Sequence, residues 1–380
     1  MSKNEKSKFN NEFLETLSYE TPFFLFSKNK IRDNFKEFQK YFSNSIVYYA
    51  MKANSEPELL RILFDAGAGF EVASKYELEL LKKIKVPAEK IIYGTAVKPL
   101  SHIKKFHAYG VDKYAFDSIQ ELDKIASIAP SSKVYCRLIV NDTGSVYKFS
   151  EKFGADTKNA VILLEHAKSL GLHPYGISFH VGSQASNKKA WANALATLSP
   201  VIKNLKENNI NLDIINLGGG YPCTKYNSFE EDFDLKDISR YIYEQYKKLP
   251  YSPKLILEPG RVIVADTGIL VTSVIAKIKR RENTWLFLDA GVYNGLFESL
   301  AYQGSTRYKI TCTRSTGNVG ESLFALAGPT GDSWDVITRE AFLPEDIDIG
   351  DKLVFHDVGS YNTVCMNRFN GFPATKVYFI

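Results

Sequence analysis

The sequence predicts an α/β fold: a parallel (β/α)8 barrel followed by a mainly β domain. Three observations lead there. Eight short β-rich runs recur from residue 45, each closed by a turn signal and followed by a helical pattern: "SIVYYAMK", "GFEVAS", "IIYGT", "KYAFD", "VYCRLIV", "GISFHVG", "IINLGGG" and "LILEPGR". After residue 262 the pattern changes to strands with few helices: "GILVTSVIAKI", "TWLFLDAG", "LFALAGPT", "DKLVFHDVG" and "TKVYFI". Polar residues stand at the ends of several of the first eight runs, where a parallel barrel collects its chemistry. A doubly wound open sheet is the structural alternative.

Between the runs lie helices. Ser55 is placed to cap "EPELLRILFDAG", which puts Leu59, Leu60 and Leu63 on one face and stops at Gly67. Ile238, Tyr241, Ile242, Tyr246 and Leu249 recur at helical spacing. In "SKYE", Ser74 and Glu77 have the spacing of a capping box, and Glu77 is equally a candidate for site chemistry.

At 380 residues the chain exceeds an average domain. Its 44% hydrophobic and 24% charged content, without low-complexity tracts, points to a globular and not a disordered protein. The net charge of +5 is spread along the chain, so no basic block argues for nucleic-acid binding. The start "MSKNEKSKFN" lacks the apolar centre of a signal peptide and no run is long enough to span a membrane, so a cytoplasmic location is expected. Cys136, Cys223, Cys312 and Cys365 lack metal-ligand spacing and are read as reduced packing residues; no metal is expected.

A barrel would gather Lys52 from run one, His180 from run six, Gly218–Gly220 from run seven and Glu258–Arg261 from run eight. Alone, Lys52 also reads as a solvated strand end, and His180 as a satisfied core histidine instead of a flat surface for a ring. The glycines let backbone N–H groups approach a ligand, and Arg261 offers a forked donor to phosphate; two tight turns are the alternative. A carboxylate at 258 beside a phosphate needs a cation to face, such as a protonated pyridine nitrogen. An amine able to form a Schiff base, a phosphate cradle and that carboxylate together describe a pyridoxal 5'-phosphate site.

The motifs "YYAMKAN", "GFEVASKYEL", "KFGAD", "GISFHVGSQ", "LGGGYP", "EPGR", "GPTGDSWD" and "VGSYN" resemble, in the same order over nearly the whole chain, those of the fold-type III pyridoxal-phosphate decarboxylases, the group containing ornithine decarboxylase. The resemblance implies an alanine racemase-like architecture, with residues 28–262 as the barrel and residues 1–27 and 263–380 as the β domain. It implies Lys52 as the Schiff-base lysine, Glu258 on the pyridine nitrogen and His180 on the ring. Ser183, Gly219, Gly220, Gly260, Arg261 and Tyr361 match phosphate-binding positions. Glu71 and Glu77 match acidic pocket positions, and Arg137 an arginine below the cofactor. Tyr302, Gln303, Gly331, Asp332 and Phe369 match substrate-side positions, Asp332 also carrying a catalytic role. The family's enzymes are homodimers with shared active sites, and Lys152 and Asp335 match an ion pair across that interface.

The resemblance implies decarboxylation of an L-amino acid of ornithine or lysine type, or a larger substituted derivative, to the amine and carbon dioxide. This sequence departs from the ornithine pattern twice. Gly331 stands where ornithine-type enzymes have a cysteine linked to correct protonation at Cα, and Gln303 stands where they have an aspartate for the distal ammonium ion. Diaminopimelate- or carboxynorspermidine-type decarboxylation is an alternative, although the "CES" motif of diaminopimelate decarboxylases is absent. Alanine racemase shares the architecture but needs a second base. A non-catalytic regulatory relative of ornithine decarboxylase is the non-enzymatic alternative, against which Lys52, Glu258 and Arg261 speak.

Overall fold

The computed structural model describes residues 9, 11–141, 145–147, 152–185, 187–223, 234–301, 308–314 and 319–380. The chain divides into two compact units, one formed by described residues of 31–263, the other by those up to 30 together with 264–380.

In the first unit the eight runs form a closed barrel of parallel strands: Ser45–Ala50, Gly69–Val72, Ile91–Tyr93, Lys113–Phe116, Lys133–Arg137, His173–Ser178, Ile214–Asn216 and Lys254–Leu257. The last strand pairs with the first, Leu255 opposite Ser45, so no edge remains open. Tyr48, Ile92, Ala115, Tyr135, Ile214 and Ile256 pack together as a buried cluster. Ser145–Tyr147 and Ser183–Ala185 add a small antiparallel pair outside the barrel sheet.

The helices bury the faces that their spacing marks. Pro57–Asp65 hides Leu59, Leu60, Ile62 and Leu63, and its stop is Gly67 at φ +101°. Ser55 is not its cap. Glu56 holds the N-cap position without a side-chain cap, and proline occupies the first turn, where a missing N–H costs nothing; Asn54 Oδ1 accepts from the Glu56 N–H at 3.0 Å in the turn before it. Ser74 does cap Lys75–Lys83, receiving the Glu77 N–H at 3.3 Å, while Glu77 Oε2 accepts from the Ala73 N–H at 2.6 Å. Leu235–Tyr246 buries Ile238 and Ile242 behind the Asp234 cap.

The second unit is a mostly antiparallel sheet in the order Ile310–Cys312, Lys352–Phe355, Gly268–Arg280, Asn283–Leu288, Glu321–Ala327 and Val336–Pro344. Phe23–Phe26 pairs with Gly268–Arg280 and with the C-terminal strand Lys376–Phe379. All five strands expected after residue 262 are present. Val336–Pro344 was not anticipated because its exposed Arg339 and Glu340 are adjacent and its partner strand shifts register twice, which erases the two-residue alternation.

Candidate active site

The first barrel strand ends in a single tight turn, Met51–Ala53, in which Met51 and Ala53 are buried and the Lys52 side chain is 47% exposed. Three contacts hold this turn. Tyr49 Oη donates to the Asn54 carbonyl at 2.9 Å, and the Ala50 N–H to that of Pro259 at 3.0 Å. A Cβ on Gly260 would come within 2.9 Å of Ala53 Cβ, so the loop after strand eight lies directly against the turn.

Lys52 Nζ lies 4.0 Å from Oε2 of Glu71, which projects from strand two and is 4% exposed. That oxygen is buried without a hydrogen bond, as is Tyr135 Oη on strand five. Glu258, just past strand eight, is half-buried; its Oε1 accepts from Asn216 Nδ2 at 2.5 Å and its N–H donates to the Gly218 carbonyl at 2.8 Å. Its carboxyl is raised to about 7, by burial first and then by the Glu71 charge, against the pull of Lys52, Asn216 and Arg137. Glu77 is likewise raised to about 7, mainly by burial, and senses both Glu71 and Lys52. Its cap geometry and its electrostatic reach into the cluster therefore coexist.

His180 is held well below its usual range by burial and by the charges of Lys52 and Arg137. Its Nδ1 accepts from the Gly182 N–H at 3.0 Å, so the ring is neutral and carries its proton on Nε2. Gly218 at φ +62° and Gly220 at φ +92° take left-handed conformations that favour glycine. Gly219 is excluded from larger residues by space: a Cβ there would lie 2.7 Å from the Glu258 carbonyl oxygen and 3.2 Å from His180 Nε2. Arg261 is 6% exposed, Ser183 is half-buried, and the Arg137 guanidinium sits 5.3 Å over the Phe153 ring.

In the second unit, Asp332 Oδ2 accepts from Tyr293 Oη, and Asp332 Oδ1 from the Trp334 N–H at 3.3 Å. Phe369 stacks on Tyr293 at 4.6 Å between ring centroids. Gly331 is exposed, and a Cβ there would meet nothing within 4 Å. Tyr361 takes φ +55°. Asp335 is 2% exposed, its carboxylate accepting from the N–H groups of Val292 and Thr330 at 2.8 and 3.0 Å and from Thr330 Oγ1 at 2.7 Å. Lys152 Nζ, in the barrel unit, lies 5.1 Å over the Phe153 ring. Tyr302 and Gln303 lie outside the described residues.

The barrel thus brings Lys52, Glu71, Glu258, His180, Arg137 and the glycine turn into one electrostatic cluster. Sequence reading did not single out Asn216, Tyr135 or Tyr293. Asn216 carried a signal: a polar residue ending an apolar strand two places before the first glycine.

A fit for pyridoxal 5'-phosphate follows from these observations. Glu71 lies 4.0 Å from the lysine, Glu258 feels the charges of Lys52 and Arg137, two buried oxygens have unused hydrogen-bonding capacity, and the glycine backbone is kept bare beside His180 and Glu258. The profile of the family described as "Pyridoxal-dependent decarboxylase, pyridoxal binding domain" matches residues 28–265. The chain belongs to this family.

The lysine/ornithine decarboxylase of Selenomonas ruminantium is 35% identical over 352 residues, covering 93% of this chain and 88% of the relative. Antizyme inhibitor 2 of Xenopus laevis is 32% identical over 346 residues, covering 87% and 75%. The crystal structure of a lysine/ornithine decarboxylase complexed with putrescine from Vibrio vulnificus superposes with a TM-score of 0.88 at 28% identity, covering 97% of this chain and 98% of that one. This pyridoxal-dependent decarboxylase is a carboxy-lyase acting on an amino acid, with pyridoxal 5'-phosphate as its cofactor. Among its described residues no helix is long and apolar enough to cross a membrane.

Proposed function

We propose that this decarboxylase acts on an L-amino acid of the ornithine or lysine type, or a larger substituted derivative, whose side chain ends in a cation or a hydrogen-bonding group. The observation that carries the proposal is Asp332: Tyr293 and the Trp334 amide hold its carboxylate in one orientation, with the exposed Phe369 stacked on Tyr293 and open space at Gly331. A fixed carboxylate with aromatic neighbours suits an alkylammonium or guanidinium end. The bare Cα of Gly331 leaves volume for a longer or branched chain.

Lys52 would hold the cofactor through its amine, Glu258 its ring nitrogen and His180 its ring face. Ser183, Gly219, Gly220, Gly260 and Arg261 would hold its phosphate, with Tyr361 assigned there by the family resemblance. When bound, the cofactor supplies an electron sink for the pair released as the α-carboxylate departs as carbon dioxide. Glu258 serves this chemistry by accepting a proton-bearing nitrogen: a cation beside it offsets the burial and the Glu71 charge that raise its carboxyl in the chain alone. Neutral His180 adds no positive charge against that cation. Glu71 neutralises part of the Lys52 charge at 4.0 Å.

Borohydride reduction of the holoenzyme followed by peptide mapping tests the cofactor assignment, with the pyridoxyl mass expected on the peptide containing Lys52 and lost in Lys52→Ala. A panel of basic, carboxylated and N-substituted amino acids, scored by carbon dioxide and product mass, tests the substrate class. Turnover restricted to amino acids with apolar side chains would overturn it, and no turnover with no cofactor uptake would favour a regulatory role. The amine-to-aldehyde product ratio reads how faithfully the proton returns to Cα without a cysteine at position 331.

A further inference from the structure

Glu71 lies against the backbone of Gly94. An ideal Cβ built on Gly94 would overlap Glu71 Oε1 and sit 2.7 Å from its Cγ and 2.8 Å from its Cδ. Real Cβ atoms do not tolerate such distances, so either the glutamate or the loop would have to move.

Backbone conformation does not explain the glycine. Gly94 lies outside the left-handed φ range, and its N–H continues the sheet ladder by donating to the Val72 carbonyl at 3.1 Å. Space for Glu71 is the remaining reason.

The loop cannot retreat cheaply. Four residues on, Lys98 is 1% exposed, and its Nζ donates to the carbonyls of Ala96 and Ala115 at 3.2 and 2.5 Å and to Glu121 Oε1 at 3.1 Å. The Lys98 N–H also reaches Glu121 Oε1 at 3.0 Å, and Lys124 Nζ bonds the Lys98 carbonyl at 2.6 Å. This buried network fastens the segment after strand three to the next strand and helix, and no step of the decarboxylation uses it.

We propose that Gly94 is a positioning residue: its bare Cα, on a loop fastened by Lys98 and Glu121, is the seat that holds the Glu71 carboxylate opposite Lys52. The proposal rests on the reading of Lys52 and Glu71 as cofactor-site residues. Gly94 touches neither substrate nor cofactor and acts through Glu71.

The test is a double-mutant cycle of Gly94→Ala, Glu71→Ala and the double variant. It is read by the affinity of the cofactor-free protein for pyridoxal phosphate, by the melting temperature of that protein, and by the pH midpoint of cofactor binding. Gly94→Ala is expected to weaken cofactor affinity by about tenfold, the effect of roughly 1.4 kcal/mol. It should also move the pH midpoint downward, in the direction of Glu71→Ala, because the displaced carboxylate no longer acts on Glu258. In the Glu71→Ala background the same substitution should change affinity and melting temperature by little, under about twofold in affinity.

Equal losses from Gly94→Ala with and without Glu71 overturn the proposal, as does a Gly94→Ala protein indistinguishable from wild type. If Gly94→Ala fails to fold, folding of the double variant supports the seat and its failure sinks it. An unchanged cofactor affinity in Glu71→Ala would instead count against the site reading of Glu71, while the melting temperatures of the cycle still decide whether Gly94 seats that side chain.

Discussion

Asn216 donates its Nδ2 hydrogen to Glu258 Oε1 at 2.5 Å while its Oδ1 receives the Gly218 N–H at 2.9 Å. One fully buried amide thus ties the site carboxylate to the first residue of the glycine turn. Asn216→Leu removes a hydrogen bond to an ionisable group and leaves the Gly218 N–H unpaired. A loss of about 2–4 kcal/mol in urea unfolding is expected, from bonds worth roughly 1–3 kcal/mol each. Cofactor affinity should fall in parallel if, as proposed, both groups it orders hold the cofactor.

Glu258 holds its proton up to about 7 in the folded chain, above the ordinary carboxyl value of 4.5. Between those values the folded state binds more protons than the unfolded one, so the cofactor-free chain loses stability as pH rises through that window. Glu258→Gln should melt higher than wild type at pH 8 without cofactor, with a flatter dependence between pH 4.5 and 7 that Glu77, also raised to about 7, keeps from vanishing. With cofactor the order should reverse. Melting curves of both forms across pH check the two signs together.

His180 behaves oppositely. Its folded pKa is well below 6.5, so below about pH 6.5 the unfolded chain gains a proton that the folded chain refuses, and stability falls with acidification. His180→Phe should lose this acid-side slope. If the ring serves as a flat surface for the cofactor, His180→Phe retains pyridoxal phosphate longer than His180→Ala, measured by release into a trapping buffer. Equal release from the two variants would remove the stacking role.

Lys98 and Glu121 are both nearly inaccessible, and Lys98 is lowered to about 8 by burial against the opposing charge of Glu121. Lys98→Met leaves the Glu121 carboxylate with Lys124 at 2.5 Å and the residue 98 N–H at 3.0 Å but removes its buried ammonium partner, and should cost about 1–3 kcal/mol. Combining it with Glu121→Gln should recover part of that loss in urea unfolding, since a buried carboxylate short of one partner is then replaced by a neutral amide.

The barrel was legible because each strand is a short buried apolar run closed by a turn, and because parallel strands deliver their C-terminal residues to one end. Lys52, His180, the glycines and Glu258 could be nominated on that ground alone. Asn216 was missed because its effect depends on Glu258, 42 positions away, and Tyr293 because it meets Asp332 across 39. The Ser55 cap was misassigned because the helix begins one residue later, at Pro57 behind Glu56, and takes no side-chain cap at all.

By itself the sequence determined the order of strands, the switch to a β-rich second unit and the residue types able to hold a phosphate, a ring and an amine. Only the tertiary structure decided the ionisation directions of Glu258 and His180, the carboxylate that lies beside Lys52, and the reason position 94 has no side chain. Those properties arise from desolvation and from charges and atoms a few ångströms apart, and the chain sets such distances only once the barrel has closed.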